Sequence, residues 1–343
     1  MTLPLEPPVA PMLSRLRPDI PLGDGWLYEP KWDGFRAIVF RDGDRIQIES
    51  RNGLALHRYF PELCETLAEG LPDRCVVDGE VVVIGPDGLE FEVLQMRIHP
   101  AESRIKKLAQ ETPASFVAFD LLALGDDDLT GQPLTARRQA LASMIEDGPH
   151  LFLTPQTSDP ESARDWFERF EGAGLDGVVA KRVEQTYEPG ERVMVKVKHE
   201  RTVDCVVGGY RLSKSGDGVG SLLLGLNDGQ GVLHHVGHTS SFKAAERRDL
   251  LAELKPLEGG TSFGHGRTPG GPSRWAQGRD ASYVPLDPVL VCEVSFEKLQ
   301  GDRFRHAARF LRWRPDKSPT ECTYDQLEPP RPFSLDEIRR LSR

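Results

Sequence analysis

Glu29-Pro30-Lys31-Trp32-Asp33-Gly34-Phe35-Arg36 is the stretch on which the reading of this chain turns. It sets Lys31 behind a glutamate and a proline, follows it with an aspartate and a glycine, and places Arg36 five residues on. A lysine acts as a covalent nucleophile only when its amine is neutral at the moment of attack. The free side chain has a pKa of about 10.4, so its surroundings must lower it, most simply through neighbouring positive charge or a metal ion. The glycine permits a tight turn, and the arginine can reach a sugar or a phosphate. Alone, Lys-x-Asp-Gly is four residues long and reads first as a strand-end loop with a surface ion pair.

The rest of the chain sets the frame. Its 343 residues suit two domains, because single cores usually split beyond about 250 residues. Hydrophobic residues at 38% and charged residues at 28% make a globular composition, not a disordered one. No apolar run approaches the ~20 residues that span a bilayer, and the proline-rich start has no continuous apolar segment of a secretory signal. The cysteines (Cys64, Cys75, Cys205, Cys292, Cys322) are far apart and read as reduced, mostly buried thiols of a cytoplasmic protein. The net charge of −10 argues against nucleic acid as a partner, yet residues 298–317 carry seven basic side chains against two acidic ones. A polyanion meets a local face rather than an average.

The first half alternates strands and helices. Residues 37–40 and 45–50 flank Asp42-Gly43-Asp44, a hairpin signal. Residues 75–84 and 115–124 are β-rich apolar runs, the second interrupted by Asp120. Residues 135–145 and 158–170 predict helices, the latter opening on a capping box of Ser158 and Glu161. Short strands at 177–182 and 193–198 close this half. Beyond it, 203–212, 221–226, 232–236, 289–299 and 305–313 predict five strands, with one helix at 241–257 between the third and fourth. That pattern suggests a small Greek-key barrel of the oligonucleotide-binding (OB) type. The expected fold class is α+β, with a first domain at 1–199, a barrel at 200–320 and a tail at 321–343. The Gly-, Ser- and Pro-rich stretch 259–280, with Arg267, Arg274 and Arg279, reads as a loop.

Further elements follow the lysine stretch in order: Ser50-Arg51-Asn52-Gly53, Asp78-Gly79-Glu80, Phe119-Asp120, Leu175-Asp176-Gly177-Val178-Val179-Ala180-Lys181 and Val195-Lys196-Val197-Lys198. The last series runs from Arg305 to Lys317. Each has a plain structural reading: a turn for Asp78-Gly79, core for Phe119, a charged strand edge for Lys196 and Lys198. A carboxylate in the apolar run around Glu80 is costly unless it binds something, such as a ribose hydroxyl or Mg²⁺. No G-x-x-x-x-G-K-[ST] phosphate loop occurs, and His234, His235 and His238 lack companions at zinc-ligand spacing.

Taken together, these elements resemble the covalent nucleotidyltransferase superfamily of DNA ligases, RNA ligases and mRNA capping enzymes. The chain looks most like the ATP-dependent DNA ligases, and among them the small bacterial DNA ligase C group. The resemblance implies an ATP-grasp-like nucleotidyltransferase domain of mostly antiparallel sheets with helices, followed by an OB-fold barrel. It makes Lys31 the adenylated residue, with Lys196 and Lys198 as its catalytic companions facing the nucleotide phosphates. Glu29 and Pro30 fall at the adenine, Arg36 at the ribose and later at the nick 3′ end, and Arg51 at the 5′ phosphate. Phe119 falls where an aromatic ring stacks on the base, and Lys181 belongs to the ATP-binding set. Glu80 and Asp176 are the candidate metal ligands, although the family usually has glutamate at the position of Asp176. Arg314 and Lys317 fall where basic residues orient the pyrophosphate. The implied cofactors are ATP and Mg²⁺, with Mn²⁺ as a substitute, and the implied partner is nicked duplex DNA, gripped in part by Arg36, Arg51, Arg267, Arg274 and Arg279. The expected setting is DNA repair by a monomer in a bacterial cytoplasm, at the nucleoid. The competing readings are an RNA ligase, a capping-type guanylyltransferase and a non-catalytic nucleic-acid-binding module.

Overall fold

The computed structural model describes residues 3–260, 262–264, 282–327 and 331–341. The chain forms two compact units, one of Met1–Lys198 with Pro330–Arg343 and the other of His199–Pro329.

In the first unit, strands Arg45–Ser50, Phe35–Asp42, Arg74–Gly85 and Ala114–Leu124 lie antiparallel in that order, with Leu151–Leu153 added parallel to the last. The central strands are buried on both faces. Ala37 and Val39 pack into the core beneath helices Pro61–Gly70 and Leu134–Met144, whereas Ile38 and Phe40 enter a second cluster with Met12, Tyr187 and Met194. Side chains alternate across a strand, so two buried faces produce a continuous apolar run. A second, four-stranded sheet has the order Leu13–Leu16, Arg192–Val197, Val178–Arg182, Trp26–Pro30, its first pair parallel and the others antiparallel. Trp32, Val82, Val117, Phe152, Trp166 and Val178 fill a third cluster of this unit.

The helix expected from Ser158 starts one turn-position later. It spans Pro160–Arg169, and Asp159, not Ser158, is its cap, accepting from the backbone N–H groups of Glu161 and Ser162. Proline at the first position needs no hydrogen-bond acceptor there, which fixes the start. Two helices that the sequence reading passed over, Pro61–Gly70 and Glu102–Glu111, each bury a pair of apolar residues on one face (Leu63 and Leu67, Ile105 and Leu108).

The second unit has the strand order Leu233–Thr239, Val219–Asn227, Arg201–Leu212, Val291–Phe296, Arg309–Trp313. A parallel bridge between Thr239 and Ala308 brings the two ends together, the closure of an OB barrel. Helix Ala244–Leu254 follows the third of these strands in sequence, as expected, and contributes Leu250 and Leu254 to the barrel core.

The separate tail does not hold. Cys322 is buried in the barrel core, and Gln326 hydrogen-bonds both backbone groups of Asp204 at 3.1 Å. Helix Leu335–Arg340 then returns to the first unit, where Leu335 and Ile338 are buried, Phe333 lies 5.3 Å from Phe170, and Arg339 donates to the Gly148 carbonyl at 2.6 Å. Apolar side chains three residues apart bury one face of a helix, which a polar, proline-bearing segment disguises.

Candidate active site

The lysine loop is built by two strands meeting at their ends. Trp26–Pro30 pairs antiparallel with Val178–Arg182, Glu29 opposite Val179 and Pro30 opposite Val178. Just beyond the pairing, the Lys31 N–H donates to the Gly177 carbonyl at 2.8 Å and the Asp176 N–H to the Lys31 carbonyl at 2.9 Å. The two loops therefore lace each other through the backbone. Gly177 has φ +119°, and a Cβ there would stand 2.0 Å from the Val197 carbonyl oxygen. Only glycine meets both demands. Gly177→Ala should therefore cost roughly 2–4 kcal/mol and displace Lys31. Thermal unfolding checks this; an unchanged Tm would contradict it. Gly34 is needed for a different reason from the tight turn expected of it: a Cβ would lie 2.2 Å from the Val81 carbonyl, so close approach to strand Arg74–Gly85 is what excludes a side chain.

Asp176 joins two of the expected residues. Its Oδ2 lies 2.8 Å from Lys31 Nζ and 3.0 Å from Lys198 Nζ. Burial opposes the carboxylate, but the two ammonium groups outweigh it and hold the Asp176 pKa down at about 2. This differs from a metal ligand kept in waiting, since the carboxylate already balances two cations.

Glu29 is nearly buried and engaged on both oxygens, with Lys181 Nζ at 2.7 Å from Oε2 and Gln156 Nε2 donating to Oε1 at 2.6 Å. Lys181 also stands 4.6 Å above the Phe119 ring, and the Arg36 guanidinium 4.3 Å from its centroid. Arg36 is anchored from behind by a bidentate pair to the buried Asp78, both bonds 2.6 Å, and Tyr187 donates its hydroxyl to the same carboxylate at 2.6 Å. Burial and the Asp78 charge together raise the Tyr187 pKa, keeping the phenol a donor. Burial pushes Glu80 up to about 7, against the charges of Arg36 and Lys31, and its Oε1 accepts from the Gly34 N–H at 3.2 Å.

Glu29, Pro30, Lys31, Arg36, Arg51, Glu80, Phe119, Lys181, Lys196 and Lys198 all line one cleft of the first unit. Asp176 stands outside the lining, behind the two lysines it pairs with. Sequence reasoning missed Ser14, Trp32 and Arg192, which also line the cleft, and Gln156 and Tyr187, which orient lining residues. Gln156 lies 127 residues from Glu29 in sequence, and no local pattern marks it. Arg314 and Lys317 belong to the second unit, where both face Asp204. Arg267, Arg274 and Arg279 lie outside the described residues. The basic excess of 298–317 is also smaller than its composition suggests: Arg309, Arg312 and Arg314 pair with Glu200, Glu293 and Asp204 at 3.0, 2.6 and 2.9 Å. Those carboxylates lie outside the 298–317 segment, so a window count does not see them.

Among the described residues no group of three or more His, Cys, Asp and Glu side chains is placed to hold a metal ion. Mg²⁺, however, takes one or two carboxylates and completes its shell with water and substrate phosphate oxygens. Glu80, in the cleft lining, fits that modest requirement, whereas Asp176 would have to exchange its pairing with Lys31 and Lys198 for the ion. No helix among the described residues is long and apolar enough to cross a membrane.

Comparison with known proteins bears on the same residues. Residues 11–198 match the family described as ATP dependent DNA ligase domain, and 215–317 the ATP dependent DNA ligase C terminal region. DNA ligase C of Mycobacterium tuberculosis (strain ATCC 25618 / H37Rv) is 52% identical over 357 residues, covering 98% of this chain and 99% of that protein. DNA ligase C1 of Mycolicibacterium smegmatis is 50% identical over 348 residues, with 98% and 99% covered. A solved structure from a study of Lig E DNA ligases has the same fold, with a TM-score of 0.57 at 19% identity over 89% of this chain and 100% of that one.

Proposed function

Because the chain belongs to the ATP-dependent DNA ligases, we propose how its own cleft joins DNA: Lys31 is the residue that carries the adenylate. The observation that carries this is the Lys31–Asp176–Lys198 cluster at the cleft, 2.8 and 3.0 Å across its two ion pairs. Asp176 holds the Lys31 side chain at a fixed point until a nucleotide phosphate arrives. Lys198 and Lys196 then meet the phosphate oxygens, and Lys31 Nζ leaves its ion pair, releases its proton to water and attacks the α-phosphorus as the neutral amine. The N–P bond forms, the bond to pyrophosphate breaks, and Arg314 and Lys317 take the charge that leaves.

Glu29 is acceptor-only and Lys181 donor-only, a pair matched to the amino group and ring nitrogen of adenine, with Phe119 beneath the base. Arg36, fixed by Asp78, holds the ribose and later the 3′ end, and Arg51 the 5′ phosphate. Glu80 and Asp176 are the residues that would hold Mg²⁺ or Mn²⁺. The ion, when bound, neutralises charge on the phosphate oxygens. AMP passes from Lys31 to the 5′ phosphate of a nick, and the 3′ hydroxyl displaces it as the phosphodiester forms. On our reading the enzyme works as a monomer on nicked DNA in repair, in a bacterial cytoplasm.

Incubation with α-labelled ATP or GTP in Mg²⁺ tests the reading: an acid-stable adduct with ATP alone is expected, and labelling by GTP would favour a guanylyltransferase. Phosphate contacts dominate DNA affinity. Changing Arg267, Arg274 and Arg279 together to Ala is therefore expected to weaken nick binding roughly tenfold or more at 0.15 M salt, with self-adenylation intact. Loss of both would point to a folding role.

A further inference from the structure

Asp204 lies in strand Arg201–Leu212 of the barrel, next to Cys205, which points into the core. Alternation turns the aspartate to the other face, where it is nonetheless only 7% exposed. Arg314 Nη1 contacts its two carboxylate oxygens at 2.9 and 3.0 Å, and Lys317 Nζ lies 3.5 Å from Oδ2. On its other edge Arg314 gives Nε and Nη2 to Asp316 at 3.0 and 2.8 Å. The guanidinium is thus gripped from two sides, in a plane its five N–H bonds define, with only the remaining N–H groups open to a ligand. Gln326 fixes Asp204 in turn, accepting from its N–H and donating to its carbonyl, both at 3.1 Å. A buried ion pair is weak evidence for stability, because desolvation consumes most of its Coulombic gain. What this one supplies is a fixed geometry.

We infer that Asp204 is a positioning residue for pyrophosphate handling, holding Arg314 and Lys317 in the arrangement that meets the leaving group during self-adenylation. The inference rests on the assignment of Arg314 and Lys317 to pyrophosphate. It extends that assignment to a third residue, which acts through the two cations it holds. Asp204→Asn removes the charge and turns an amide N–H toward the guanidinium, so Arg314 loses its register without a change in side-chain volume.

The test separates the steps on the full-length enzyme. Asp204→Asn is expected to slow self-adenylation about tenfold or more and to raise the KM for inorganic pyrophosphate in the reverse reaction, which regenerates ATP from the adenylated enzyme. Sealing of a pre-adenylated nick, which involves no pyrophosphate, should stay within about twofold. A merely structural role would depress both reactions together and leave the pyrophosphate KM unmoved, and that result overturns the inference. If Asp204→Asn does not fold, Gln326→Ala, which loosens the same aspartate from behind, should show the same split at smaller size; no split overturns it. Arg314→Ala, run in parallel, keeps the two ideas apart. If it leaves pyrophosphate dependence unchanged, the assignment of Arg314 fails. If it changes that dependence while Asp204→Asn does not, the positioning role alone fails.

Discussion

Lys31→Ala should give no acid-stable adduct with labelled ATP and should lower nick sealing by a factor on the order of 10⁴ to 10⁶, the range met when a covalent nucleophile is removed. The prediction has a companion that keeps it specific. Lys31→Arg preserves a cation beside Asp176, and so the ion pair measured at 2.8 Å, but a guanidinium does not deprotonate and cannot attack phosphorus. It should fold, bind ATP and nicked DNA, and remain free of adduct. Both variants should retain part of their activity on a pre-adenylated nick, where the lysine is no longer the attacking group. An adduct that survives Lys31→Ala would falsify the assignment. An active Lys31→Arg enzyme would mean that the charge matters and the nucleophile lies elsewhere. The depressed Asp176 pKa of about 2 keeps this carboxylate ionised throughout the working pH range. Its contribution to stability is fully present above the ordinary aspartate value and is lost only as pH falls toward 2.

The largest effect on stability is expected at Arg137. Its guanidinium and the Asp120 carboxylate are both almost wholly buried and meet through two parallel bonds, Nε to Oδ1 at 2.8 Å and Nη2 to Oδ2 at 2.9 Å. The Gln185 and Gln132 carbonyls take Nη1 at 2.9 and 2.5 Å, and the Leu121 N–H completes the aspartate. Arg137→Met leaves that carboxylate buried without its cation, a loss of about 3–5 kcal/mol. For a domain of this size that corresponds to a Tm lower by roughly 10 °C. Adding Asp120→Leu should recover much of the loss, because the pair as a whole stabilises far less than breaking it destabilises. Thermal unfolding of the two single variants and the double closes the cycle. A Tm for Arg137→Met within a degree or two of the parent would mean that Asp120 finds another partner.

Asp120 also shows how sequence and structure divide the account. In the sequence it is an interruption of an apolar strand beside Phe119. Its cation, Arg137, sits on a helix 17 residues later, and nothing in the spacing announces the pair. The same holds at Arg36: Asp78-Gly79-Glu80 stands out in the sequence as an element, but nothing there pairs Asp78 with Arg36, and the structure buries Asp78 completely and bonds it to Tyr187 as well.

In the cleft, ten of the lining residues were already named, because the short elements that hold them resemble those of the covalent nucleotidyltransferases. The alternation of strands and helices in the first half and the five-strand pattern of the second were likewise legible, since side-chain periodicity is local. The return of helix Leu335–Arg340 to the first unit was not, nor was the neutralisation of the basic segment by Glu200, Asp204 and Glu293.

The opening octapeptide supplied Lys31 and the reason to suspect it. It could not supply Asp176, 145 positions away by sequence number, which the fold brings to 2.8 Å. Local sequence fixes which groups are available and on which face of a strand they stand. Which charges neutralise one another is decided when strands distant in sequence pair, because Coulombic and hydrogen-bond contacts act over a few ångströms of space and take no account of chain separation.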